Sequence, residues 1–238
     1  MNNRNTGLKI LFGPSYSQWV YDPERLSYIT PYFLSLQTSK YAYQIYSQLL
    51  SHDDNPPEST LLLWDMFGGI GTDSIYLSRY FNVIVTEIDR NIHDLAVNNV
   101  RTFNKTNINL VNDNCINMIN KIQPHVIYFD PPWGNSYKNR IKNFDFNEVY
   151  IDYPVSDNPS LSSTDLPSLN KKVSCVDLLK YIHSNVTPYI IVKSPINSNT
   201  FERSFPNQVQ YIHKCPNKNL KFIYLTKVRQ RDTLKIYV

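Results

Sequence analysis

A chain of 238 residues with 42% hydrophobic and 18% charged side chains can bury a sizeable core and is too apolar to be disordered. A formal net charge of +4 and 18 Tyr admit a polyanionic, base-bearing partner, but a sequence-independent duplex binder would be more basic. Three widely spaced cysteines (Cys115, Cys175 and Cys215) and five scattered histidines exclude a disulfide framework and a zinc-ligand spacing, which points to a reducing, intracellular protein without a metal.

The polar start, Met1 to Gly7, has no signal-peptide character, and apolar runs such as Leu61 to Trp64 are far too short to span a membrane. Apolar and aromatic residues at helical spacing predict a helix from Tyr32 to Leu50, with Thr30 as its cap and Pro31 in its first turn. The polar stretch His52 to Thr60, carrying Pro56 and Pro57, then marks a boundary. Residues 1–58 read as a small N-terminal helical extension and residues 59–238 as the main domain. Beyond the boundary, strands are predicted at 61–65, 82–87, 108–111 and 125–129, and helices at 72–80, 91–103 and 114–121. This alternation predicts a parallel sheet with crossover helices. Residues 135–174 read as one long irregular loop, of the kind that is usually functional in a compact domain. A helix at 176–184 and a fifth strand at 189–193 follow. Strands at 209–214 and 220–227, joined through Pro216 to Asn219, form an antiparallel pair at the sheet edge.

The run Asp65-Met66-Phe67-Gly68-Gly69-Ile70-Gly71-Thr72-Asp73 follows a strand and opens a helix. Its glycines allow a sharp turn and a close approach of backbone to ligand. A dinucleotide loop would aim the helix N-terminus at a pyrophosphate. Here an acid precedes the glycines, and a carboxylate suits a cationic or amino-bearing ligand better; S-adenosylmethionine has both a sulfonium and an α-amino group. The alternatives are a glycine-rich structural turn and a nucleotide loop. Glu87, ending the second strand, is placed to accept both ribose hydroxyls, while Asp89 reads as a helix N-cap. Asp113, after the third strand, is either an acceptor for the adenine amine or a cap for the next helix. Acids ending three successive parallel strands line the sheet edge at which ligands bind.

The second motif, Phe129-Asp130-Pro131-Pro132-Trp133-Gly134, follows the fourth strand. Two prolines fix φ and remove two backbone donors, so carbonyls face a partner rather than a ladder. Asp130 and the Pro131 carbonyl would hold the two hydrogens of an exocyclic amine, with Trp133 stacking the base; the alternative is a rigid turn with a packed Trp. Were that base 7-methylguanine, its positive charge would add a cation–π attraction. Lys138, Arg140 and Lys142 follow as contacts for phosphates or as a solvated basic loop. Lys221, Lys227, Arg229 and Arg231 read as an exposed face.

The order and form of these motifs resemble the class I methyltransferases that modify amino groups of bases. Asp-Pro-Pro-Trp is shared with N6-adenine methyltransferases. The Pro-Pro-Trp-Gly form is more similar to the trimethylguanosine synthase family, which methylates N2 of a 7-methylguanosine RNA cap. Leu11-Phe12, Asp22-Pro23-Glu24 and Thr30-Pro31 match that family's N-terminal extension, and Pro195-Ile196-Asn197 and Asn219-Leu220-Lys221 match its later motifs. The resemblance implies a Rossmann-like fold with a mostly parallel seven-stranded sheet, an antiparallel edge strand and a small N-terminal helical extension. It implies S-adenosylmethionine held by Phe12, Thr30, Asp65, Phe67, Gly69, Gly71, Thr72, Glu87, Asp113 and Asp130. Asp130, Pro131 and Trp133 would be catalytic, and capped RNA would meet Tyr28, Trp133, Asn135, Tyr137, Lys138, Arg140 and Asn197. A monomer in the nucleus or cytoplasm, or in a virus factory for a viral chain, is expected.

The departures concern the acceptor. The family has Ser before Pro-Pro-Trp, where this chain has Asp130, as adenine enzymes do; it has Ser at the position of Tyr28 and Glu at that of Tyr32. Its basic residue for the cap phosphates has no clean match, which leaves Arg4 or Lys9 as substitutes. N6 of adenine and N2 of an internal guanine therefore stay open as acceptors. A methyltransferase-like module that merely binds RNA is disfavoured by intact Asp65, Glu87, Asp130 and Trp133.

Overall fold

The computed structural model describes residues 3–53, 61–134, 143–152 and 172–227. They fall into two compact units, one up to Asp113 and one from Asn114 onward. The first carries α1 (Asn3–Phe12), α2 (Tyr32–Asp53), β1 (Leu62–Asp65), α3 (Thr72–Leu77), β2 (Asn82–Thr86), α4 (Arg90–Thr102) and β3 (Ile108–Val111). The second carries α5 (Cys115–Met118), β4 (Val126–Phe129), β5 (Tyr150–Asp152), β6 (Lys172–Ser174), α6 (Cys175–Asn185), β7 (Ile190–Pro195), α7 (Thr200–Ser204), β8 (Val209–Cys215) and β9 (Leu220–Leu225). Seven strands form one mostly parallel sheet in the order β3-β2-β1-β4-β7-β9-β8, and β9 runs antiparallel to β7 and to β8. This is the sheet expected from the sequence. β5 and β6 pair antiparallel as a separate ribbon.

The central strands formed where the sequence runs apolar without alternation, because a strand covered on both faces has no polar side. β4, β7 and β9 are buried at every position. The edge strands β3 and β8 are mostly half-buried. α4 follows its apolar stripe, burying Ile92, Ala96, Asn99 and Val100, and Asp89 caps it by accepting from the N–H groups of Asn91 and Ile92. The edge hairpin turns through Asn219, at φ 54°, a left-handed conformation that Asn tolerates.

Four local expectations change. α1 has no predicted counterpart: Gly7 interrupts it and its apolar residues form no stripe, so the helix is held by tertiary contact. Its last residue, Phe12, is 1% exposed and stacks on Trp19 with ring centroids 5.3 Å apart. α2 starts at Tyr32, with the Pro31 carbonyl accepting from the N–H groups of Leu34 at 2.8 Å and Ser35 at 3.2 Å. The Thr30 hydroxyl is turned away from that helix start and donates to Asp73. α5 is a single turn capped by Asn114 rather than Asp113. Within 135–174, the described residues include the β5–β6 ribbon, whose three-residue strands are too short to show a period of two; residues 135–142 and 153–171 lie outside the described residues.

Asn99 joins the N-terminal segment to the glycine turn within the first unit. It is fully buried; its Nδ2 donates to the carbonyls of Val20 at 2.9 Å and Ile70 at 3.0 Å, and its Oδ1 accepts from the Val20 N–H at 2.9 Å. Replacing it strips three backbone groups of a partner that water replaces poorly. Asn99→Ala should lower unfolding free energy by about 1–3 kcal/mol, read from urea midpoints; an unchanged midpoint would show that the segment is held without it.

Candidate functional site

In the first unit, β1 ends in Asp65 and the chain turns through three glycines into α3. A Cβ on Gly68 would stand 2.0 Å from Val85 Cγ1, so the loop lies directly on β2, where the Gly68 N–H donates to the Thr86 carbonyl at 2.9 Å. Gly71, at φ 82°, is the N-cap of α3. Gly69 has φ 54° and open space where a Cβ would be, and its N–H donates to Glu87 Oε2 at 2.9 Å. Asp65 is 1% exposed; Oδ2 accepts from Ser74 Oγ at 2.5 Å and Oδ1 from the Phe67 N–H at 3.3 Å. The acid at the strand end thus braces the loop from inside. Thr72 is buried at the start of α3, and Phe67 is half-buried.

Glu87 follows β2 and is half-buried. Its Oε1 accepts from the Asp89 N–H at 2.8 Å while Oε2 takes Gly69. Burial pushes its carboxyl above the ordinary range, and the two backbone hydrogen bonds oppose that. Asp113 is half-buried just after β3, and the cap of α5 falls to its neighbour.

The N-terminal segment braces this loop. Thr30 is 1% exposed and donates to Asp73 Oδ2 at 2.7 Å; Ser35 donates to Oδ1 at 2.5 Å. The Phe12 ring lies in a core cluster with Ile70 and Ile75, and its carbonyl accepts from the Tyr76 hydroxyl at 3.3 Å. Burial lifts the Tyr76 hydroxyl to about 12, with Tyr32 and Asp73 adding to the rise. Phe12 and Thr30, expected at the cofactor, brace the loop and the start of α3 through Ile70, Ile75, Tyr76 and Asp73. Arg25 donates to Asp89 Oδ2 at 2.8 Å, which ties the same segment to the turn after β2. Tyr28, ending the 3-10 turn before Ile29, is 43% exposed. Lys9 is exposed, with Nζ 5.5 Å from the Tyr16 ring centroid.

In the second unit, β4 and β7 run parallel with Phe129 opposite Val192, so Asp130 and Lys193 follow side by side. Lys193 Nζ donates to Asp130 Oδ2 at 2.6 Å and lies 5.7 Å from the Trp133 ring centroid. Lys193 is 3% exposed and Trp133 is 8% exposed. The indole leans on Phe144 at 6.4 Å, and Phe146 and Phe201 continue the aromatic packing to Phe129. Trp133, expected to offer a face to a base, is therefore seated inward. Pro131 is buried, and Pro132 is exposed.

After β7, Asn197 is exposed on a loop braced from two sides. Lys221 donates to the Ser198 carbonyl and pairs with Glu202. Thr200 donates to Asp145 Oδ1 at 3.1 Å, and the Asn147 N–H holds the Asp145 carboxyl below the usual range. Lys221, expected on an exposed face, is 3% exposed, because β9 lies inside the sheet; Lys227 is exposed. Asn135, Tyr137, Lys138, Arg140, Lys142, Arg229 and Arg231, and the side chain of Arg4, lie outside the described residues. Asn99, Asp73 and Lys193 were missed as functional supports; the available signal was a lysine inside the apolar run of β7. Among the described residues no group of three or more His, Cys, Asp or Glu could hold a metal, and no helix is long and apolar enough to cross a membrane.

A family model described as RNA cap guanine-N2 methyltransferase matches residues 60–226. An uncharacterised protein of Acanthamoeba polyphaga mimivirus is 24% identical over 98 residues, which are 39% of this chain and 38% of that protein. The crystal structure of a Porphyromonas gingivalis W83 protein described as a methyltransferase aligns with a TM-score of 0.58 at 14% identity, covering 94% of this chain and 47% of that one. The chain spans less than half the length of either protein, and the second likeness is one of fold.

Because the Glu87 carboxyl is raised in the folded chain, it binds its proton to higher pH folded than unfolded. Its favourable contribution is complete below the unfolded value and is lost as pH rises through the folded one. Between about pH 4 and pH 8, the melting temperature of the ligand-free wild type should fall relative to that of Glu87→Gln. Parallel curves would show that Glu87 does not titrate differently on folding.

Proposed function

This chain belongs to the RNA cap guanine-N2 methyltransferase family and has the Rossmann-like class I fold of S-adenosylmethionine-dependent methyltransferases, and we propose that it methylates the exocyclic N2 of a 7-methylguanosine RNA cap. The observation that carries this reading is the Asp130-Pro131-Pro132-Trp133 loop at the end of β4, with Asp130 gripped by Lys193 and Trp133 set in an aromatic wall.

The first unit fits the methyl donor. Open space beside Gly69 admits a ligand against the loop, and Glu87, oriented by two N–H groups, is a preset bidentate acceptor for two ribose hydroxyls. Asp113 is assigned the adenine amine. When bound, S-adenosylmethionine supplies a methyl on a sulfonium sulfur, which becomes a neutral thioether as the methyl passes to nitrogen. Asp130 and the Pro131 carbonyl hold the two amine hydrogens, and the prolines keep both acceptors still. Such positioning is worth several kcal/mol of barrier for a weak nucleophile. As the N–C bond forms, the amine gives up one proton, which leaves for solvent by way of the Asp130 carboxylate. Trp133 is assigned the purine on the ring face not turned to Lys193, which must be uncovered because the residue is 8% exposed; there the positive charge of 7-methylguanine would add roughly 0.5–2 kcal/mol over unmethylated guanine. Tyr28 and Asn197, both exposed, are assigned to the RNA end.

Asp130 also favours a second reading, N6 of adenine, since adenine enzymes share that acid. The deciding measurement is transfer of labelled methyl to a 7-methylguanosine cap dinucleotide, an unmethylated cap dinucleotide and an adenine oligonucleotide. Transfer to the methylated cap is expected, and transfer to the oligonucleotide alone would sink the cap reading. Trp133→Ala should weaken cap binding about 10-fold or more and leave cofactor affinity within about twofold. An equal loss of both would remove Trp133 from the acceptor.

A further inference from the structure

We propose that Lys193 is a positioning residue for methyl transfer, with its buried ammonium fixing Asp130 and Trp133 on either side of the two prolines. This rests on reading the Asp130–Trp133 loop as the acceptor site, not on which base is the acceptor.

The first observation is the cost of the lysine itself. β7 reads Ile190-Ile191-Val192-Lys193-Ser194-Pro195 and is buried at every position. An ammonium in such a strand loses its water, and a Met or Leu would serve the core better. The ion pair with Asp130, at 2.6 Å, replaces part of that loss. Buried pairs are nonetheless poor stabilisers: replacing both partners with apolar residues is often neutral or favourable, whereas removing one leaves an uncompensated charge. Packing alone therefore gives no reason for the pair.

The second observation is where the ammonium sits. Parallel pairing of Phe129 with Val192 sets Asp130, the first residue past β4, beside Lys193, which is still inside β7. The same Nζ then lies 5.7 Å from the Trp133 ring centroid. One group thus touches the residue before the two prolines and the residue after them. The prolines stiffen the segment, and Lys193 fixes how that stiff segment is seated. Its hydrogen bond selects the Asp130 rotamer, and its charge holds the indole by cation–π attraction. Effective positioning is sensitive to displacements of about 1 Å, so a loose Asp130 would slow transfer without weakening donor binding.

The test uses the full chain with labelled S-adenosylmethionine and whichever of the three acceptors above the wild type methylates. Lys193→Arg keeps the cation, Lys193→Gln keeps a neutral donor, and Lys193→Met keeps neither. The expected order of kcat is wild type, Arg, Gln, Met. Arg should stay within about 5-fold of wild type, and Met should lose about 10- to 100-fold. Cofactor affinity by calorimetry should stay within about twofold throughout, a split that general unfolding would not give. Should Lys193→Met fail to fold, the comparison of Arg with Gln carries the test. A Gln variant as fast as wild type, or a kcat loss matched by an equal loss of cofactor affinity, would overturn the proposal. A wild type inactive on all three acceptors would overturn the function itself, before any variant is made.

Discussion

A charged side chain taken out of water costs several kcal/mol unless other groups replace the lost hydration. Asp65, Asp73, Lys193 and Lys221 are each at least nine-tenths buried in this chain, and each has at least one partner on a segment without regular structure. Asp65 takes Ser74 and the Phe67 N–H, which shapes the glycine turn. Asp73 takes Thr30 and Ser35, which brings in the N-terminal segment. Lys193 takes Asp130, and Lys221 takes the Ser198 carbonyl and Glu202. The chain uses the need to pair buried charge as its means of fixing loops. That is why the loops can carry chemistry: strands and helices hold themselves by ladders and stripes, whereas a loop stays put when leaving its partner would strand a charge.

The legible part of the fold follows from the same division. β4, and β7 up to Val192, were readable because a strand buried on both faces runs continuously apolar, and β9 was readable from its hairpin turn despite Lys221. α4 was readable because its stripe and its cap at Asp89 agree. α1 was not, since Gly7 and its scattered apolar residues give no period; a single buried ring, Phe12, settles it from a distance in sequence. β5 and β6 escaped because strands of three residues contain too few positions to alternate.

Legibility of the site divides by residue type. Glycine and proline carry their reasons with them, so the turn after β1 and the loop after β4 could be placed before any coordinates. The supports could not. Asn99 on α4 looks like any polar helix residue until Val20 and Ile70 are seen to need it. Thr30 and Phe12 were singled out from a motif, and a motif does not say whether a residue touches ligand or holds the residue that does. In the structure Thr30 holds Asp73 and Phe12 packs in one cluster with Ile70 and Ile75. Lys221 was misread because a lysine near a chain end suggests a solvated face, while its strand lies between β7 and β8.

Asp130 gains a different meaning from its neighbour. Where the resembling cap enzymes have Ser before Pro-Pro-Trp, an acid looks like a vote for adenine, or an added negative charge to draw a cationic purine. The added charge is cancelled once Lys193 lies 2.6 Å away. The pair together carries no net charge, as a serine carries none, so at a distance the acceptor loop is electrostatically close to the cap-enzyme form. What differs is local: a carboxylate accepts hydrogens with both oxygens and donates none, whereas a hydroxyl does both. On the proposed reading the acid bears on how the amine is held, and its charge does not by itself select the purine. On the reading proposed above, base choice rests on Trp133 and on the exposed Tyr28 and Asn197.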